Sequence, residues 1–200
     1  MAVFLDRLYH LHWVEPGLAR SAQPYLGFYR AFLKPHAFRS LINLRGRNES
    51  HDWWQKEKQV TEALGIRHFD VRLSSRNIPS RQGLGNLFAA FEIAETPVLI
   101  KCSGGQDRSS LGCALYLLWC KGGKALPEAE AQFAFWPYLH RPKKNQHWLR
   151  HFPAYAVQEA GAEPLAQWAR ARYEPKAFAL WLKSKGVEHS DYAFQAEEVD

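Results

Sequence analysis

The sequence predicts an α/β protein with a central, mainly parallel sheet flanked by helices and extended by further helices at its C-terminal end. Short apolar runs alternate with longer helical patterns up to residue 120, as in strands joined by crossover helices. The run at residues 97–102 is apolar enough for a strand that is covered on both faces. Beyond residue 109 the chain shows only helical patterns, separated by prolines.

Turn residues bound the predicted elements of the first half. We predict strands at residues 11–14, 17–21, 38–44, 66–73 and 97–102. We predict helices at residues 23–33, 52–64 and 83–94. Gly65 follows the second of these helices, where a glycine commonly ends a helix. In the strand at 66–73, alternation places Ile66, His68 and Asp70 on one face.

The C-terminal half is predicted to consist of helices at residues 109–120, 126–139, 146–158, 165–173 and 176–185. Four tryptophans are expected to pack these helices onto the rest of the protein: Trp136, Trp148, Trp168 and Trp181. We interpret residues 1–186 as one domain, with a core at about 1–155 and a helical extension at 156–186. Residues 187–200 are interpreted as an acidic tail.

The composition favours a globular protein without membrane spans. Of the 200 residues, 46% are hydrophobic and 14% aromatic, which is enough apolar material for a core. No apolar run approaches the ~18 residues that a membrane span needs, and charged side chains interrupt residues 1–16, unlike a signal peptide. Three cysteines do not make a disulfide framework. We therefore expect a cytoplasmic protein in which Cys113 and Cys120 are buried thiols.

The positive charge lies outside the tail. The net charge is +6, and the five acidic residues of the tail, with no Lys or Arg, leave +11 on residues 1–186. A body this basic favours anionic ligands such as phosphorylated molecules, although ordinary surface charge explains the excess equally well. No basic helix is interleaved with aromatic residues, so nucleic acid binding is not expected to be the main role.

Residues 101–109, with the sequence KCSGGQDRS, lie between the strand at 97–102 and the following helix. Such a loop binds anions, because its N–H groups converge and the helix dipole adds positive charge. Gly104 and Gly105 permit tight curvature, and Arg108 offers a planar fork that can hold two phosphate oxygens. We expect the anion to be bound by Ser103, Gly104, Gly105, Gln106, Asp107 and Arg108.

Cys102 begins this loop and is the candidate nucleophile. An ordinary thiol has a pKa of ~8.5 and is mostly protonated at neutral pH. A helix N-terminus and a nearby cation stabilise the thiolate, which is the nucleophilic form. Ser109 is placed either to hydrogen-bond the sulfur or to cap the helix. The loop thus holds both a nucleophile and a cradle for the anion that it attacks.

Cys102, five intervening residues, Arg108 and Ser109 together resemble the signature of the protein-tyrosine and dual-specificity phosphatase superfamily. The stretch KCSGGQDRSS is similar to the bacterial form of this loop, in which Asp precedes the arginine. Three other stretches resemble segments of the dual-specificity branch: RSAQP at 20–24, INLR at 42–45 and NQHWL at 145–149. A rhodanese loop typically has one residue fewer.

The resemblance implies hydrolysis of a phosphomonoester in two steps, without a metal or a cofactor. Cys102 would attack phosphorus while Arg108 and the loop amides stabilise the equatorial oxygens. Ser109 would then help the thiolate leave, and water would release inorganic phosphate. The implied substrate is a phosphoprotein or another polyanionic phosphoester. The alternative is a catalytically weak pseudophosphatase module that binds phosphoryl groups through Arg108 without hydrolysing them.

The chain departs from the family pattern at three points. Lys101 stands where the family usually has His, and Ser110 where it usually has Gly. The loop at residues 74–80, where the family usually places the acid that protonates the leaving group, has no carboxylate. We therefore favour Asp107 as the catalytic proton donor. Asp70 is the other carboxylate considered, and Asp107 could instead only fix the position of Arg108.

Other polar residues carry weaker assignments. Six basic residues fall in predicted loops, and some of them are expected near the pocket mouth: Arg45, Arg47, Arg76, Arg141, Lys143 and Lys144. Asn145 either orients the hydrolytic water, as the resemblance implies, or caps a helix. His147 and His151 have metal-ligand spacing on a helix, but no third ligand is evident and we predict no metal site.

Overall fold

The computed structural model describes residues 2–25, 27–187 and 192–197. In this part of the chain the strands are His12–Glu15 (β1), Leu18–Ser21 (β2), Ser40–Asn43 (β3), Arg67–Asp70 (β4), Asn77–Ile78 (β5), Val98–Lys101 (β6) and Ala193–Phe194 (β7). The α-helices are Ala2–Leu8 (α1), Tyr29–Leu33 (α2), Asp52–Ala63 (α3), Arg81–Ile93 (α4), Asp107–Lys121 (α5), Leu126–Ala131 (α6), Phe152–Ala160 (α7), Leu165–Ala171 (α8) and Pro175–Ser184 (α9). Short 3₁₀ helices lie at Lys34–His36, Gly123–Ala125 and Lys144–His151.

Five strands form the central sheet in the order β1-β2-β6-β3-β4. Strands β2, β6, β3 and β4 run parallel, and β1 joins antiparallel to β2. Because β6 is the middle strand, the loop at its carboxyl end lies over the centre of the edge where open α/β sheets bind ligands. The predicted α/β fold with a mainly parallel sheet is confirmed.

Apolar side chains cover both faces of the sheet, because they alternate along each strand. Val98 and Ile100 of β6 belong to the larger core cluster, which also contains residues of α4 and α5. Leu99 points to a smaller cluster that includes Leu5 of α1 and Phe32 of α2. This burial on both faces explains why the segment appears in the sequence as a continuous apolar run.

The C-terminal helices share the larger core with the sheet. Trp168, Tyr173 and Phe178 are buried in the same cluster as Ile100. Helix α8 packs on α4, and α9 packs on α7. The segment at 156–186 therefore contributes side chains to the main core of the protein.

The described part of the tail returns to the body. Strand β7 pairs in parallel with β5, and the Gln195 amide hydrogen-bonds the carbonyl of Arg72 and the amide N–H of Ser74. The sequence patterns predicted no strand beyond residue 109, so β7 corrects that prediction. Four of the five acidic residues of the tail lie outside the described residues: Glu188, Asp191, Glu198 and Asp200.

Three helix predictions need correction. The helix predicted at 23–33 begins only at Tyr29, because Pro24 and Gly27, with φ +78°, lie in the preceding irregular segment. The helix predicted at 126–139 ends at Ala131, and a loop follows it. The helix predicted at 146–158 is divided between the 3₁₀ helix Lys144–His151 and α7. Helix α1 was not predicted at all.

Two side-chain predictions are also wrong. Trp136 lies in the loop after α6 and is 77% exposed, whereas Trp148 and Trp168 are buried as expected. Cys120 lies in the last turn of α5 and is exposed, whereas Cys113 is buried. None of the described helices has the length and apolar character needed to cross a membrane.

Candidate active site

The loop between β6 and α5 is packed against the end of β2. The Cys102 amide donates to the Ser21 carbonyl at 3.3 Å. Gly105 has φ +68°, and a Cβ at this position would lie 2.6 Å from the amide nitrogen of Ala22. Both the backbone angle and the close contact therefore require glycine there. Gly104 has open space around its Cα, so the tight curvature expected at both glycines is required only at Gly105.

Helix α5 begins at Asp107, two residues earlier than predicted. Asp107 and Arg108 therefore both lie in its first turn, at the positive end of the helix dipole. Buried side chains such as Leu111 and Leu115 hold the helix in the core. The direction of the dipole and the position of the loop are thus fixed by core packing.

Cys102 lies beneath this loop and is 2% exposed. Burial alone raises the pKa of its thiol. The charge of Arg108, the hydroxyl of Ser109 and the backbone amides of Ser109 and Gly105 act in the opposite direction and outweigh burial. The pKa of Cys102 is therefore lowered from its ordinary value, which favours the thiolate.

Arg108 is held in place by backbone carbonyls. Its Nη1 donates to the carbonyl of Leu44 at 3.2 Å and to that of Leu73 at 3.3 Å, at the ends of two neighbouring strands. Its Nη2 donates to Ser103 Oγ at 2.9 Å. The guanidinium is thus anchored on one side and faces the loop on the other, as expected of a group that binds an anion there.

Asp107 contacts residues from a distant segment. Its Oδ2 accepts a hydrogen bond from Gln146 Nε2 at 3.0 Å. Its Oδ1 lies 3.4 Å from Nε2 of the buried His140, without an aligned hydrogen bond. Asp107 and Arg108 form no ion pair in the part of the chain that the structure describes, so the carboxylate does not hold the arginine directly. It lines the cavity and its side chain is 27% exposed.

Asp70 is occupied by hydrogen bonds within the fold. Its carboxylate accepts from Asn43 Nδ2 at 2.7 Å and from Trp54 Nε1 at 3.0 Å. It also lines a different cavity, beside Arg47 and Lys58. These bonds explain its place in the sheet without a catalytic role.

Arg20 lies directly behind the loop and is fully buried. Its Nη2 donates to the carbonyls of Gly105 and Gln106 at 3.0 and 2.9 Å, and to Ser110 Oγ at 2.7 Å. The guanidinium also lies 4.2 Å from the ring centre of Tyr138. Arg20 therefore fixes the back of the loop, and Ser110, which stands where the resembled family usually has Gly, is part of that support.

A buried ion pair lies on the other side of Cys102. Lys101 Nζ is 2.7 Å from Glu57 Oε1 and 2.5 Å from Gln23 Oε1. Glu57 also accepts from His68 Nε2 at 3.0 Å. Burial lowers the pKa of Lys101 to about 8, although Glu57 acts to raise it. Lys101, which stands where the resembled family usually has His, is thus a fully buried partner of α3.

The loop opens into a polar cavity of about 670 Å³. The predicted loop residues Ser103, Gln106, Asp107 and Arg108 line it, whereas the Cys102 thiol lies beneath them. Its other lining residues are Arg45, Asn48, Arg72, Leu73, Ser74, Ser75, Arg76, Arg141, Lys143 and Gln146. Besides Arg108, four of these basic lining residues were predicted near the pocket mouth, namely Arg45, Arg76, Arg141 and Lys143, whereas Arg72 was not.

The remaining predicted residues lie elsewhere or act differently. Asn145 does not line the cavity, and Lys143 rather than Asn145 precedes the 3₁₀ helix as its N-cap. Its neighbour Gln146 contacts Asp107 instead. Among residues 2–25, 27–187 and 192–197, no group of three or more His, Cys, Asp or Glu side chains is arranged to hold a metal ion.

No protein-family model and no curated protein matches this chain. Solved structures with the same fold include a DUF442 protein from Shewanella putrefaciens CN-32, named as a candidate phosphatase, with a TM-score of 0.58 at 18% identity over 78% of this chain and 98% of that one. Tk-PTP in a mutant form gives a TM-score of 0.52 at 17% identity, over 74% of this chain and 96% of its own.

A variant of TpbA from P. aeruginosa, in complex with pTyr, gives a TM-score of 0.52 at 18% identity, over 84% of this chain and 94% of its own. At these identities the comparisons concern the fold. The chain therefore shares the fold of these solved structures.

Proposed function

We propose that this protein is a cysteine-dependent phosphomonoester hydrolase that works through a cysteinyl-phosphate intermediate. The observation that carries the proposal is the environment of Cys102. Its thiol, with a lowered pKa, lies under a glycine-containing loop, at the start of a helix and beside an anchored arginine. These are the conditions under which a thiolate forms and an anion binds next to it.

In the first step the Cys102 thiolate attacks phosphorus. The P–S bond forms while the bond from phosphorus to the leaving oxygen breaks. Charge on the three equatorial oxygens is stabilised by the loop amides and by the guanidinium of Arg108, whose Nη2 contacts Ser103 of the loop. Because carbonyls of Leu44 and Leu73 already hold the guanidinium, little reorganisation is needed when the phosphoryl group binds.

Asp107 supplies the proton that the leaving oxygen needs. Its carboxyl group lines the cavity and is oriented by Gln146. In the second step the same carboxylate takes a proton from water as the water attacks phosphorus. The P–S bond then breaks, inorganic phosphate leaves, and the Ser109 hydroxyl stabilises the departing thiolate.

Turnover of p-nitrophenyl phosphate by the wild type and by Cys102→Ser tests the proposal. This substrate has a good leaving group, so it needs little help from a general acid. We expect vanadate-sensitive turnover in the wild type and none in the serine variant. Turnover that survives in a folded Cys102→Ser variant would falsify the assignment of the nucleophile.

The role of Asp107 is tested by changing the leaving group. Asp107→Asn should lower turnover of an alkyl phosphate by about 10²- to 10³-fold and that of p-nitrophenyl phosphate far less. Asp70→Asn is the matched comparison, since it removes the other carboxylate considered. If Asp107→Asn lowers turnover of both substrates equally, Asp107 is not the general acid. If instead Asp70→Asn lowers turnover of the alkyl phosphate selectively, Asp70 is the proton donor.

A second candidate function is a phosphate-binding module with little turnover. The observation that favours it is that Ser74 and Ser75 reach the cavity from the loop at 74–80, which supplies no carboxylate. Such a module would bind vanadate with a dissociation constant that Arg108→Ala raises, yet release no nitrophenol. Product formation by the wild type therefore separates the two functions.

A further inference from the structure

The cavity at the loop carries more positive charge than one phosphoryl group requires. Six cationic side chains and one carboxylate line it, which gives a net formal charge of +5. The six cations come from four separate segments of the chain: Arg45, then Arg72 and Arg76, then Arg108, and finally Arg141 and Lys143. The fold itself therefore gathers them, since no run of charged residues in the sequence accounts for the cluster.

These six cations are not neutralised by the protein. Within the described ranges, none of them forms an ion pair with a carboxylate, whereas several arginines elsewhere on the surface do. The paired arginines are Arg39 and Arg67 with Glu95, Arg47 with Glu49, Arg81 with Glu174, Arg170 with Glu92 and Arg172 with Glu163. The cavity thus keeps a strong positive potential that an incoming anion can neutralise.

The six cations divide into two groups. Arg108 serves the transferred phosphoryl group, and Arg45 is fixed by Gln23 and by the face of Trp53, 3.5 Å from its guanidinium. The remaining four are exposed residues on the rim: Arg72, Arg76, Arg141 and Lys143. A single phosphomonoester carries about −2 charge at neutral pH, so Arg108, Arg45 and the loop amides suffice for it.

The rest of the lining is polar. Leu73 is its one apolar residue, and none of the residues that line this cavity is aromatic. An aryl ring such as that of phosphotyrosine needs apolar or aromatic walls, which supply most of the binding energy in ring pockets. A volume of about 670 Å³ lies within the range of small-molecule pockets. The lining therefore suits a compact, highly charged molecule.

We propose that the substrate is a small molecule with at least two phosphoryl groups, and that the rim cations Arg72, Arg76, Arg141 and Lys143 bind the group that is not transferred. This inference rests on the proposed function, which places the transferred group at Cys102 and Arg108. The rim subsite holds the second group by charge-assisted hydrogen bonds. It thereby selects polyphosphorylated molecules over monoesters.

Inhibition of p-nitrophenyl phosphate turnover tests the inference, with inositol hexakisphosphate and inorganic phosphate as competing probes. In the wild type we expect hexakisphosphate to inhibit at a concentration about 100-fold lower than phosphate. In Arg72→Ala/Arg141→Ala this ratio should fall about tenfold or more, and turnover itself should fall less than the ratio does. Arg170→Ala/Arg172→Ala removes the same charge outside the cavity and should preserve the wild-type ratio.

Calorimetric titration of the same probes into full-length protein separates this inference from the proposed function. Tight hexakisphosphate binding that needs Arg72 and Arg141, without any turnover, would retain the subsite and reject the hydrolase. Equal binding of hexakisphosphate and phosphate would overturn the subsite even if the protein hydrolyses p-nitrophenyl phosphate. A phosphopeptide or a 5′-phosphorylated oligonucleotide that binds more tightly than hexakisphosphate would overturn the choice of a small molecule.

Discussion

The floor and the rim of the cavity differ in how their charged side chains are held. We define the floor as the groups beneath and beside the loop: Cys102, Arg108, Arg20 and the pair Lys101–Glu57. We define the rim as the exposed cations around its mouth: Arg72, Arg76, Arg141 and Lys143. Every charged floor side chain is held by hydrogen bonds or an ion pair, whereas the rim cations have no carboxylate partner among the described residues.

The difference follows from burial. A buried charge is costly unless it is paired, which explains why the charged floor groups are held by hydrogen bonds or an ion pair. Exposed cations cost little and are screened by solvent and salt, so the rim can stay unpaired and adaptable. A fixed floor suits stabilisation of a transition state, and an unpaired rim suits attraction of an anion. Changes to the floor should therefore alter catalysis or folding strongly, and changes to the rim mainly affect binding.

The largest effect is expected from Arg108→Lys. Lysine keeps the charge but loses the fork that contacts Leu44, Leu73 and the phosphoryl oxygens together. We expect kcat for p-nitrophenyl phosphate to fall by about 10³-fold, or about 4 kcal/mol of activation free energy. Steady-state kinetics measure this. Arg150→Lys, at an exposed position outside the cavity, is the control. If kcat of Arg108→Lys falls less than tenfold, Arg108 does not stabilise the transition state.

The next largest effect is expected on stability, from Glu57→Gln. The substitution leaves the buried Lys101 without its ion-pair partner, which should lower the free energy of unfolding by about 3–5 kcal/mol. Urea denaturation followed by circular dichroism measures the change. Glu62→Gln, at an exposed position of the same helix, should change it by less than about 0.5 kcal/mol. Similar values for both variants would mean that the Lys101–Glu57 pair does not stabilise the floor.

A smaller effect is expected in the pH dependence of the rate at which Cys102 is alkylated. Because the thiol pKa is lowered, the rate of alkylation by iodoacetate should reach half its maximum at a pH below the pKa of an ordinary thiol. Below that midpoint the thiol is protonated and alkylation is slow. In Arg108→Gln the midpoint should move to higher pH, since a stabilising charge is lost. Replacing Cys113 and Cys120 by serine isolates the reaction, and an unchanged midpoint would show that Arg108 does not act on the thiolate.

The smallest effect is expected at the rim. Lys143→Ala should reduce kcat/KM for p-nitrophenyl phosphate by only about twofold at low salt, since an exposed charge contributes at most ~1 kcal/mol. The difference from wild type should disappear at high ionic strength, because salt screens exposed charges. Kinetics at two salt concentrations measure this. A tenfold loss of kcat/KM that does not depend on salt would mean that Lys143 contacts the transferred phosphoryl group, as Arg108 does in the proposed mechanism.

The sequence predicts the sheet more accurately than the C-terminal half for a physical reason. Strand β6 carries a continuous apolar run, and Gly65, with φ +68°, lies just beyond the end of α3, so both signals are local. The segment after Ala131 resembles a helix in sequence but forms a loop with Trp136 exposed. Local periodicity carries no information on which apolar side chains find a partner in the tertiary structure.

In the candidate site, too, the features that depend on neighbouring residues were predicted and those that depend on tertiary contacts were not. The loop residues Cys102 and Arg108 are close in sequence, so their spacing alone indicates their proximity. Arg20 and Gln146 lie in stretches that the family resemblance marked, but their contacts with the loop depend on the fold. His140 and Arg72 gave no signal, because a distant contact and a rim position leave no pattern in the sequence.

The most direct test of the account is to identify the phosphorylated residue during turnover. Acid quenching of the enzyme with p-nitrophenyl phosphate, followed by mass spectrometry of its peptides, reports where the phosphoryl group is attached. We predict one phosphoryl group on the peptide that contains Cys102, lost when Cys102 is replaced by serine, and increased in Asp107→Asn as hydrolysis of the intermediate slows. Turnover accompanied by a phosphoryl group on any other residue would contradict the assignment of Cys102 as the nucleophile.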